Sequence, residues 1–542
     1  MFSEPVVGEK FFGRNEVLDL LNKRVSALKD GYRQNVALTG QSLAGKTSIL
    51  HHFLYSVKEE DFITVYVEVV KEPFKSFSNR FIATLLYNAL TKTGRNVGFE
   101  LQDLLGEAAE TMPRTHAAIR SINSLIEKND LEAAYLSLLG LTSTLKEEIK
   151  RSCVVILDEF DNLEYIGIKN PFLSFGKVIM IQKDTMYIVS SSRSQVFKKI
   201  LSEKLSLLFG NFEIVRISGF DTQNAKKFVD MRLEGFEIDD ILKKFLIVFT
   251  EGNPFYLNHL VKKAKEAASE KMSNYISTDV ITEALIDTLY DSNGVIHQYL
   301  MNFILDLLDS RSKDRYLSIL TSIASGRNKL AQVAKAVRIK QSDASRDLAH
   351  LCELGLTSKN GIFYHIDDPV LAFWIERVYQ KRKNLLVDGI FNRNELFSSQ
   401  IKKYITDFIN ESEKDITARV EELFNSFSNE LVQIGSRQLK LPHFTKVETG
   451  AFISGNKYLA ATFRGNSWVV CVYQDAVGES DIVDYIKNIK SLGRKISSKI
   501  VITLGGIDEN SRLLAKELKI SVWSMSALNS LLSAYGKNRV AI

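Results

Sequence analysis

The feature that most constrains this chain is the loop at residues 40–47, whose sequence GQSLAGKT matches the pattern G-x-x-x-x-G-K-[ST]. An apolar run at 35–39 precedes it and an apolar helical pattern follows. Two glycines allow successive backbone N–H groups to face one anion, and the next helix adds its partial positive charge. The alternative is a strand-to-helix turn that fits the pattern by chance. The loop therefore predicts a nucleotide-phosphate site between the first strand and helix of an α/β fold.

The predicted loop gives its polar side chains separate roles. Lys46 would reach the β- and γ-phosphates of ATP, and Thr47 would hold Mg²⁺. The predicted nucleotide-binding residues of this segment are Gly40, Gln41, Ser42, Leu43, Ala44, Gly45, Lys46, Thr47 and Ser48.

A second apolar run, VVIL at 154–157, ends in Asp158 and Glu159. Four apolar residues in a row are typical of a strand buried on both faces of a parallel sheet, and α/β sheets bind ligands at the carboxyl ends of their strands. Asp158 would hold Mg²⁺ through water, and Glu159 would deprotonate the attacking water. The alternative is that both carboxylates are solvated turn residues after a core strand.

Other strands complete the predicted sheet. Residues 186–189 form an apolar run that leads into three serines and Arg193, and residues 64–70 form another. One serine would sense the γ-phosphate and Arg193 would contact it, although a serine cluster is also ordinary turn chemistry. Residues 74–150 are predicted as helices with an insertion. Alternating strands and helices indicate a doubly wound parallel sheet.

Further motifs resemble the STAND group of AAA+-related P-loop ATPases, in particular the archaeal DEXX-box ATPases. Residues 11–17, FFGRNEV, resemble the h-h-G-R-x-x-E box of that family, which lines the adenine pocket in relatives. The resemblance implies that Phe12, Gly13 and Arg14 contribute to that pocket. Val17 stands where the family has its glutamate, and Glu16 lies one place early.

The resemblance extends to a helical lid. Gly252-Asn253-Pro254 resembles the G-x-P motif of the family, in which the proline approaches the base, and this implies a nucleotide contact for Pro254. Residues 217–229 resemble the start of the lid, with Asp221 as a helix N-cap. No arginine lies near Gly252, where other AAA+ proteins carry a sensor-2 arginine. That departure favours the STAND branch over ring-type hydrolysis.

Three predicted helices, at 316–324, 329–337 and 342–356, precede a predicted hairpin at 357–364 with an Asn-Gly turn. This order is typical of a winged helix. Residues 311–360 contain ten Lys or Arg and four Asp or Glu, so a polar face could meet phosphates. The predicted base-reaching residues are Ser342, Ser345 and Arg346, and the predicted backbone contacts are Lys340 and Lys359. In STAND ATPases a winged helix is also frequently an intramolecular clamp, and this alternative stays open.

The last part of the chain predicts another α/β domain. A helix at 416–433 precedes strands at 458–463 and 468–473, a helix at 480–492, a strand at 499–504, a helix at 509–518 and a strand at 520–523. That order resembles the PD-(D/E)XK nuclease fold. An active member needs an acidic residue on one hairpin strand and E-x-K on the next. Leu459 or Ala461 stands where the acidic residue would be, and Cys471 stands where the glutamate of E-x-K would be. The resemblance therefore implies a catalytically degenerate domain. The segment at 367–374 resembles the D-P-x-x-x-F-W sequence that precedes C-terminal domains in archaeal relatives.

Size and composition indicate how many domains the chain has and in which cellular compartment it is found. At 542 residues the chain is too long for one core. The predicted domains are a P-loop ATPase domain (1–214), a helical lid (215–295), a winged helix (296–380), a helical linker (381–415) and a nuclease-like domain (416–542). The N-terminus lacks a signal-peptide pattern and no long apolar run occurs, so the prediction is a cytoplasmic protein without membrane contact.

The predicted function is an ATP-driven conformational switch that acts on or near double-stranded DNA. The alternatives are a regulatory or scaffolding ATPase that binds protein partners or further copies of itself, and an ATP-dependent nuclease. The predicted ligands are ATP and Mg²⁺. The formal net charge of +5 over the whole chain does not decide among these functions.

Overall fold

The computed structural model describes residues 4–57, 62–95, 97–205, 211–308, 312–380, 391–435, 437–452 and 455–540. These residues fall into two compact units. The first consists of residues 1–219 with 253–255 and 353–355, and the second contains the remainder. The five predicted domain boundaries stay predictions.

The first unit is built on a parallel sheet, as the sequence predicted, and the sheet has five strands, of which the last was not predicted. The strands are β1 Asn35–Thr39, β2 Phe62–Glu68, β3 Ser152–Asp158, β4 Thr185–Ser191 and β5 Phe212–Arg216. Their order is β2-β3-β4-β1-β5, and every neighbouring pair is parallel. Burial on both faces explains why the central strands consist of apolar runs. The segments that follow β1, β3 and β4 therefore start from the same edge of the sheet.

Among its described residues, the first unit has eight α-helices. They are α1 Asn15–Lys29, α2 Lys46–Ser56, α3 Phe74–Lys92, α4 Leu101–Thr111, α5 Pro113–Glu127, α6 Leu131–Ile149, α7 Pro171–Ile181 and α8 Ser194–Lys199. Helices α3 to α6 lie between β2 and β3, where the sequence predicted helices with an insertion. Their apolar faces form one core with one face of the sheet.

The second unit begins with helices and a small parallel pair of strands. The helices are α9 Thr222–Arg232, α10 Asp240–Thr250, α11 Pro254–Glu270, α12 Thr278–Leu285 and α13 Val295–Leu307, and the strands are β6 Glu237–Ile238 and β7 Tyr275–Ile276. The Asp221 side chain accepts a hydrogen bond of 2.8 Å from the backbone N–H of Asn224, so it caps α9 as predicted. Within the described ranges, no helix combines the length and the apolar character that a bilayer span needs.

A three-helix segment with a hairpin follows. The helices are α14 Lys313–Ala324, α15 Leu330–Val337 and α16 Gln341–Glu353, and the strands are β8 Thr357–Asn360 and β9 Phe363–Ile366. We call β8 and β9 the 357–366 hairpin. Asn360 pairs with Phe363, so the two loop residues are Gly361 and Ile362. The predicted Asn-Gly turn is wrong by one position, because Gly361 supplies the left-handed backbone (φ +61°) as the first loop residue.

The C-terminal part of the second unit contains α17 Pro369–Phe373, α18 Phe391–Glu413, α19 Ile416–Phe424 and a strand pair, β10 Glu430–Ile434 and β11 Arg437–Leu441. We call β10 and β11 the 430–441 hairpin. The predicted helix at 416–433 is therefore wrong beyond residue 424. Asn429 adopts a left-handed backbone (φ 67°), and β10 then pairs in antiparallel register with β11.

The final sheet has five strands in the order β12-β13-β14-β15-β16. They are β12 Lys446–Ala451, β13 Lys457–Phe463, β14 Asn466–Tyr473, β15 Ile496–Thr503 and β16 Ile520–Ser524, and the helices are α20 Glu479–Lys490, α21 Glu509–Glu517 and α22 Met525–Ala534. The first three strands form an antiparallel meander, and β15 and β16 are added in parallel through the connecting helices.

The two hairpins of the second unit are joined at the tip of the 357–366 hairpin. The backbone N–H of Ile362 donates to the carbonyl of Leu431 at 3.1 Å, and the N–H of Gln433 donates to the Asn360 side chain at 2.6 Å. A Cβ at position 361 would lie 1.7 Å from the Leu431 carbonyl oxygen. Glycine is therefore required there both by its backbone angle and by this close approach.

Two alanine substitutions separate these two requirements. Gly361 and Gly435 share a left-handed backbone (φ +61° and +59°), but a Cβ at Gly435 would meet nothing within 4 Å. Each variant should lose about 1 kcal/mol from backbone strain. Gly361→Ala should lose about 1–3 kcal/mol more, because the Leu431 carbonyl must move. Thermal unfolding, with hydrogen exchange at the Ile362 amide, measures the difference. Equal losses in the two variants would contradict the close contact.

Candidate functional site

The loop at 40–47 takes its shape from its two glycines. A Cβ at Gly40 would lie 1.9 Å from the carbonyl oxygen of Ile217, so only glycine fits there without a shift of the backbone. Gly45 has φ +98°, and α2 begins at the next residue. The backbone amides at the start of α2 have no partner from a preceding turn of the helix, which makes this end suited to an anion.

Lys46 is a buried cation, with 3% of its surface exposed. Its ammonium donates to the carbonyls of Gly40 and Gln41 at 3.0 and 2.9 Å and to the Ser192 hydroxyl at 2.8 Å. All three acceptors are neutral. Burial lowers the pKa of Lys46, while the charges of Glu159, Asp158 and Asp161 oppose that shift. Among the residues that the structure describes, the Lys46 ammonium therefore has no directly bonded anion.

Asp158 ends β3, and both of its carboxylate oxygens accept hydrogen bonds. Oδ2 accepts from the Thr47 hydroxyl at 2.8 Å and from the Tyr66 hydroxyl at 3.1 Å. Oδ1 accepts from the Ser190 hydroxyl and from the N–H of Glu159, the latter at 3.1 Å. These donors hold the Asp158 carboxylate in place next to Thr47. Asp158 and Thr47 are the two residues predicted to hold a metal ion.

Glu159 has a left-handed backbone (φ 50°). Its side chain accepts from the N–H of Ser192 at 3.1 Å and also from the Ser192 hydroxyl. Ser192 is therefore hydrogen-bonded to both Lys46 and Glu159. Burial raises the pKa of Glu159, and the Lys46 charge opposes that shift. A carboxyl with a raised pKa is a better proton acceptor near neutral pH than an ordinary glutamate.

Arg193 follows Ser192 but makes different contacts. Its guanidinium forms an ion pair with Asp161, which is 1% exposed, and donates to the Asn162 side chain at 3.3 Å. The predicted contact between Arg193 and a γ-phosphate stays a prediction, and the ion pair with Asp161 would have to rearrange for it.

Residues 10–165 match the AAA ATPase domain. The matched range includes the phosphate loop, β3 and the carboxylates that follow it. No curated protein matches the sequence.

Several solved structures are similar in part. A Walker-type ATPase of Pyrococcus abyssi is 15% identical, with a TM-score of 0.47, over 69% of this chain and 99% of that one. The ORC2 protein of Aeropyrum pernix, in ADPNP–ADP complexes, is 14% identical, with a TM-score of 0.43, over 71% and 98%. The RuvB Holliday junction branch migration motor of Thermotoga maritima is 16% identical, with a TM-score of 0.35, over 70% and 100%. At these values the similarities imply nothing about ligand or partner.

The segment before α1 lies against the phosphate loop. Gly13 and Arg14 both have left-handed backbones (φ 67° and 65°). The Arg14 guanidinium donates to the Ala44 carbonyl at 3.2 Å and to the Ser218 carbonyl at 2.5 Å. Pro254 lies on the same side of the first unit, since its Cγ would be 3.9 Å from a Cβ at Gly45. Two predicted nucleotide contacts, Arg14 and Pro254, are therefore near the loop.

The five residues predicted to contact DNA lie in the second unit. Lys340, Ser342, Ser345, Arg346 and Lys359 are all exposed. Arg346 donates to Asp343 at 3.0 Å on the same face of α16, and the Lys359 ammonium lies 5.6 Å from the centre of the Tyr364 ring. Their exposure is compatible with the predicted role in DNA binding, which stays a prediction.

Sequence reasoning missed Tyr66 and Asp161 as members of the site. Tyr66 lies on β2, and its hydroxyl reaches Asp158 because β2 and β3 are neighbours in register, with Glu68 opposite Asp158. The signal in the sequence was a tyrosine near the end of an apolar run. Such a run does not indicate which strands are neighbours in the sheet. Asp161 lies three residues after Asp158, pairs with Arg193 and contributes negative charge near Lys46.

Proposed function

We propose that this chain binds ATP together with Mg²⁺ and hydrolyses it to ADP and phosphate. The observation that carries the proposal is the buried Lys46 ammonium, whose three hydrogen bonds all go to neutral oxygens. A buried cation at a helix N-terminus is stabilised by an anion, and the phosphates of a nucleotide supply that charge. The match of residues 10–165 to the AAA ATPase domain supports the same function.

The donor set beside the loop fits Mg²⁺. This ion prefers oxygen ligands, commonly one or two protein oxygens together with waters and substrate phosphates. The Thr47 hydroxyl and the Asp158 carboxylate lie 2.8 Å apart and provide such oxygens. Mg²⁺ bound by Thr47 and Asp158 would neutralise charge on the phosphates. The Ser190 and Tyr66 hydroxyls keep the Asp158 carboxylate in position.

Glu159 is the proposed general base. Its carboxylate would take a proton from the water that attacks the γ-phosphorus, while the bond from that phosphorus to the β–γ bridging oxygen breaks. Lys46 would bind the β- and γ-phosphates, and Ser192 would exchange its contact with Lys46 for one with the γ-phosphate. Because Ser192 holds Glu159 and Lys46 together, it links nucleotide binding to the orientation of the base.

The Tyr66 hydroxyl should affect the binding of Mg²⁺ rather than the binding of the nucleotide itself. Tyr66→Phe removes one donor to Asp158 and leaves the Thr47 donor in place. We expect the Mg²⁺ concentration for half-maximal ATP binding to rise about tenfold, as for other groups that orient a metal ligand. ATP affinity with Mg²⁺ chelated should not change. Equilibrium titration of a fluorescent ATP analogue at varied Mg²⁺ measures both quantities.

Tyr187→Phe is the matched control. Tyr187 is a buried tyrosine of the same sheet, and its hydroxyl donates to the Gln182 side chain at 2.7 Å instead of reaching the site. Its variant should keep the Mg²⁺ dependence of the wild type. The same Mg²⁺ shift in both variants would mean that Tyr66 acts only through the stability of the sheet.

The proposal includes a switch of the STAND type. Arg14 connects the phosphate loop to Ser218, at the start of the predicted lid, and Pro254, in the middle of the predicted lid, approaches Gly45. Two positions of the predicted lid segment thus lie near the loop. Bound nucleotide would bias the position of the lid, and hydrolysis would release it.

DNA association through α16 is the second part of the proposal. The exposed face of α16 carries Ser342, Ser345 and Arg346, and Lys340 and Lys359 are exposed nearby in sequence. Side chains of these types contact base edges and phosphates in helix-in-groove complexes. A regulatory ATPase with protein partners is the competing function, since an intramolecular clamp could use the same three helices.

The C-terminal domain is proposed as a degenerate relative of PD-(D/E)XK nucleases. Its helix, three-strand meander, helix and parallel strand follow the order of that fold. The positions at which acidic residues would be needed carry Leu459, Ala461 and Cys471, all buried and apolar. Cleavage of DNA in Mg²⁺ or Mn²⁺ by the Lys46→Ala chain would contradict the degenerate assignment.

Production of ADP and phosphate by the purified full chain tests the proposed reaction. The Lys46→Ala variant, purified in parallel, gives the background from contaminating ATPases. Turnover in the wild type that exceeds this background is the expected result. Equal rates in both preparations would exclude hydrolysis by this site.

A further inference from the structure

The two carboxylate oxygens of Asp161 have different surroundings. Oδ2 accepts a hydrogen bond from Nε of Arg193 and forms an ion pair with that guanidinium. Oδ1 is shielded from solvent and, among the residues that the structure describes, has no hydrogen-bond partner. The residue as a whole is 1% exposed. Because buried polar atoms are normally hydrogen-bonded, an unpaired carboxylate oxygen indicates a water or a ligand that completes the site.

The turn that carries Asp161 is fixed on both sides of this residue. Phe160 is fully buried, and its ring centre lies 5.0 Å from that of Phe175. The Asn162 side chain donates to the carbonyl of Val69 at 2.9 Å. Asp161 is therefore held in place by the protein itself, as a group that is preorganised for catalysis must be.

Asp161 lies at the end of the sheet where the proposed reaction takes place. β3 and β4 are parallel neighbours, so the segments that follow them leave the sheet at the same edge. Arg193, which holds Asp161, directly follows Ser192. The Ser192 hydroxyl contacts both Lys46 and Glu159. The Asp161 charge also interacts with the charges of Lys46 and Glu159, so the carboxylate lies near the phosphate-binding lysine and the proposed base.

We propose that Asp161 is a further catalytic residue of the ATP hydrolysis, and that its Oδ1 binds the attacking water. The inference rests on the proposed function. Oδ1 accepts one hydrogen of the water, while the Glu159 carboxylate accepts the other and removes it as a proton. The water oxygen bonds to the γ-phosphorus as the bond to the β–γ bridging oxygen breaks, and the electron pair of that bond leaves with ADP. Asp161 stays ionised throughout, stabilised by Arg193.

Two acceptors orient a water more strictly than one. With both hydrogens held, the lone pairs of the water oxygen point away from the two carboxylates, and one of them can be aligned with the γ-phosphorus of bound ATP. The alternative is that Oδ1 binds a water that takes no part in the reaction. That alternative predicts the same rate of hydrolysis when the acceptor at Oδ1 is removed.

Asp161→Asn tests the proposal with little change in shape. Its amide oxygen can still accept from Arg193, while its NH₂ group takes the place of Oδ1 and cannot accept a hydrogen from water. Asp347→Asn is the matched control. Asp347 is also buried and is paired with Arg315 at 2.8 Å, but it lies on α16. Single-turnover hydrolysis and the affinities for ATP, ADP–beryllium fluoride and ADP–aluminium fluoride are measured in Mg²⁺ for the wild type and both variants.

We expect single-turnover hydrolysis at least tenfold slower in Asp161→Asn, since a hydrogen bond to a charged group contributes about a factor of 10 to 100. Beryllium fluoride mimics the ground-state γ-phosphate, so affinities for ATP and for this complex should stay within about twofold of the wild type. Aluminium fluoride mimics the transferring phosphoryl group with its attacking water. Affinity for that complex should fall about as much as the rate. The control should match the wild type in every measurement.

Two results in Asp161→Asn would overturn the proposal. One is an unchanged rate, and the other is an equal loss of affinity for all three ligands, which indicates a structural role. If the variant does not fold, a crystal structure of the wild type with ADP, Mg²⁺ and aluminium fluoride decides. A water between the aluminium and Oδ1 supports the proposal, and an attacking water without a bond to Oδ1 contradicts it. Hydrolysis by the wild type no faster than by Lys46→Ala would overturn the proposed function, and this inference with it.

Discussion

Replacing Lys46 with alanine should abolish measurable ATP binding. The ammonium is the one loop group that carries a full positive charge, and it already lies where α2 begins, 2.8 Å from the Ser192 hydroxyl. Hydrogen bonds between charged groups in buried sites contribute about 1.5–3 kcal/mol each, so the loss of contacts to two phosphates corresponds to at least a 100-fold weaker affinity. Equilibrium titration with ATP and Mg²⁺ measures it.

Lys23→Ala is the control for this substitution. Lys23 is an exposed lysine of α1 in the same unit, and its removal changes the net charge by the same amount. We expect ATP affinity within about twofold of the wild type, because exposed charges at a distance are screened by salt. Equal losses in the two variants would assign the effect to overall charge rather than to the phosphate loop.

Replacing Glu159 with glutamine should separate binding from turnover. Glutamine has nearly the same shape and can still meet Ser192, but it cannot accept a proton from water. General-base catalysis contributes about 10²–10⁴-fold, so we expect turnover to fall by at least 100-fold. ATP affinity should stay close to that of the wild type, since Lys46, Thr47 and Asp158 are unchanged. Single-turnover hydrolysis of bound ATP measures the loss directly.

Glu164→Gln controls for the removal of a carboxylate near β3. Glu164 is exposed and paired with Lys204 at 2.9 Å, and it lies in the segment that follows Glu159. Its variant should turn over ATP at the rate of the wild type. Turnover in Glu159→Gln equal to that in Glu164→Gln would remove Glu159 from the reaction and leave another group as the base.

The sheet of the first unit could be predicted from the sequence because its strands are buried on both faces. β3 and β4 are continuous apolar runs that end in polar residues, and the phosphate loop marks the end of β1. The convergence of Lys46 and Asp158 also followed from the rule that parallel strands place their carboxyl ends at one edge. Local pattern and fold agree in this part of the chain.

Contacts between distant segments could not be predicted. The hydrogen bond between Tyr66 and Asp158 depends on β2 and β3 being neighbours, and the ion pair of Asp161 with Arg193 depends on the path of the chain after β4. Neither pairing leaves a signal in residue spacing. The sequence supplied the residue types, and the topology decides which of them meet.

The 430–441 hairpin shows the same limit in the second unit. Residues 425–433 were predicted to continue the helix that begins at residue 416. The structure instead turns at Asn429 and forms β10, whose Glu430 is held by Lys329 from the three-helix segment. The stabilising partner lies about one hundred positions away in sequence. A short stretch of sequence around residue 430 therefore does not contain the contact that stabilises the strand.

The measurement that tests the central claim most directly is equilibrium binding of ATP to the purified full chain in Mg²⁺, by calorimetry or dialysis. Bound nucleotide at about one ATP per chain, weakened when Mg²⁺ is chelated and lost in Lys46→Ala, is the predicted result. No binding at millimolar ATP, or binding that Lys46→Ala retains in full, would contradict the assignment of residues 40–47 as a nucleotide-phosphate loop.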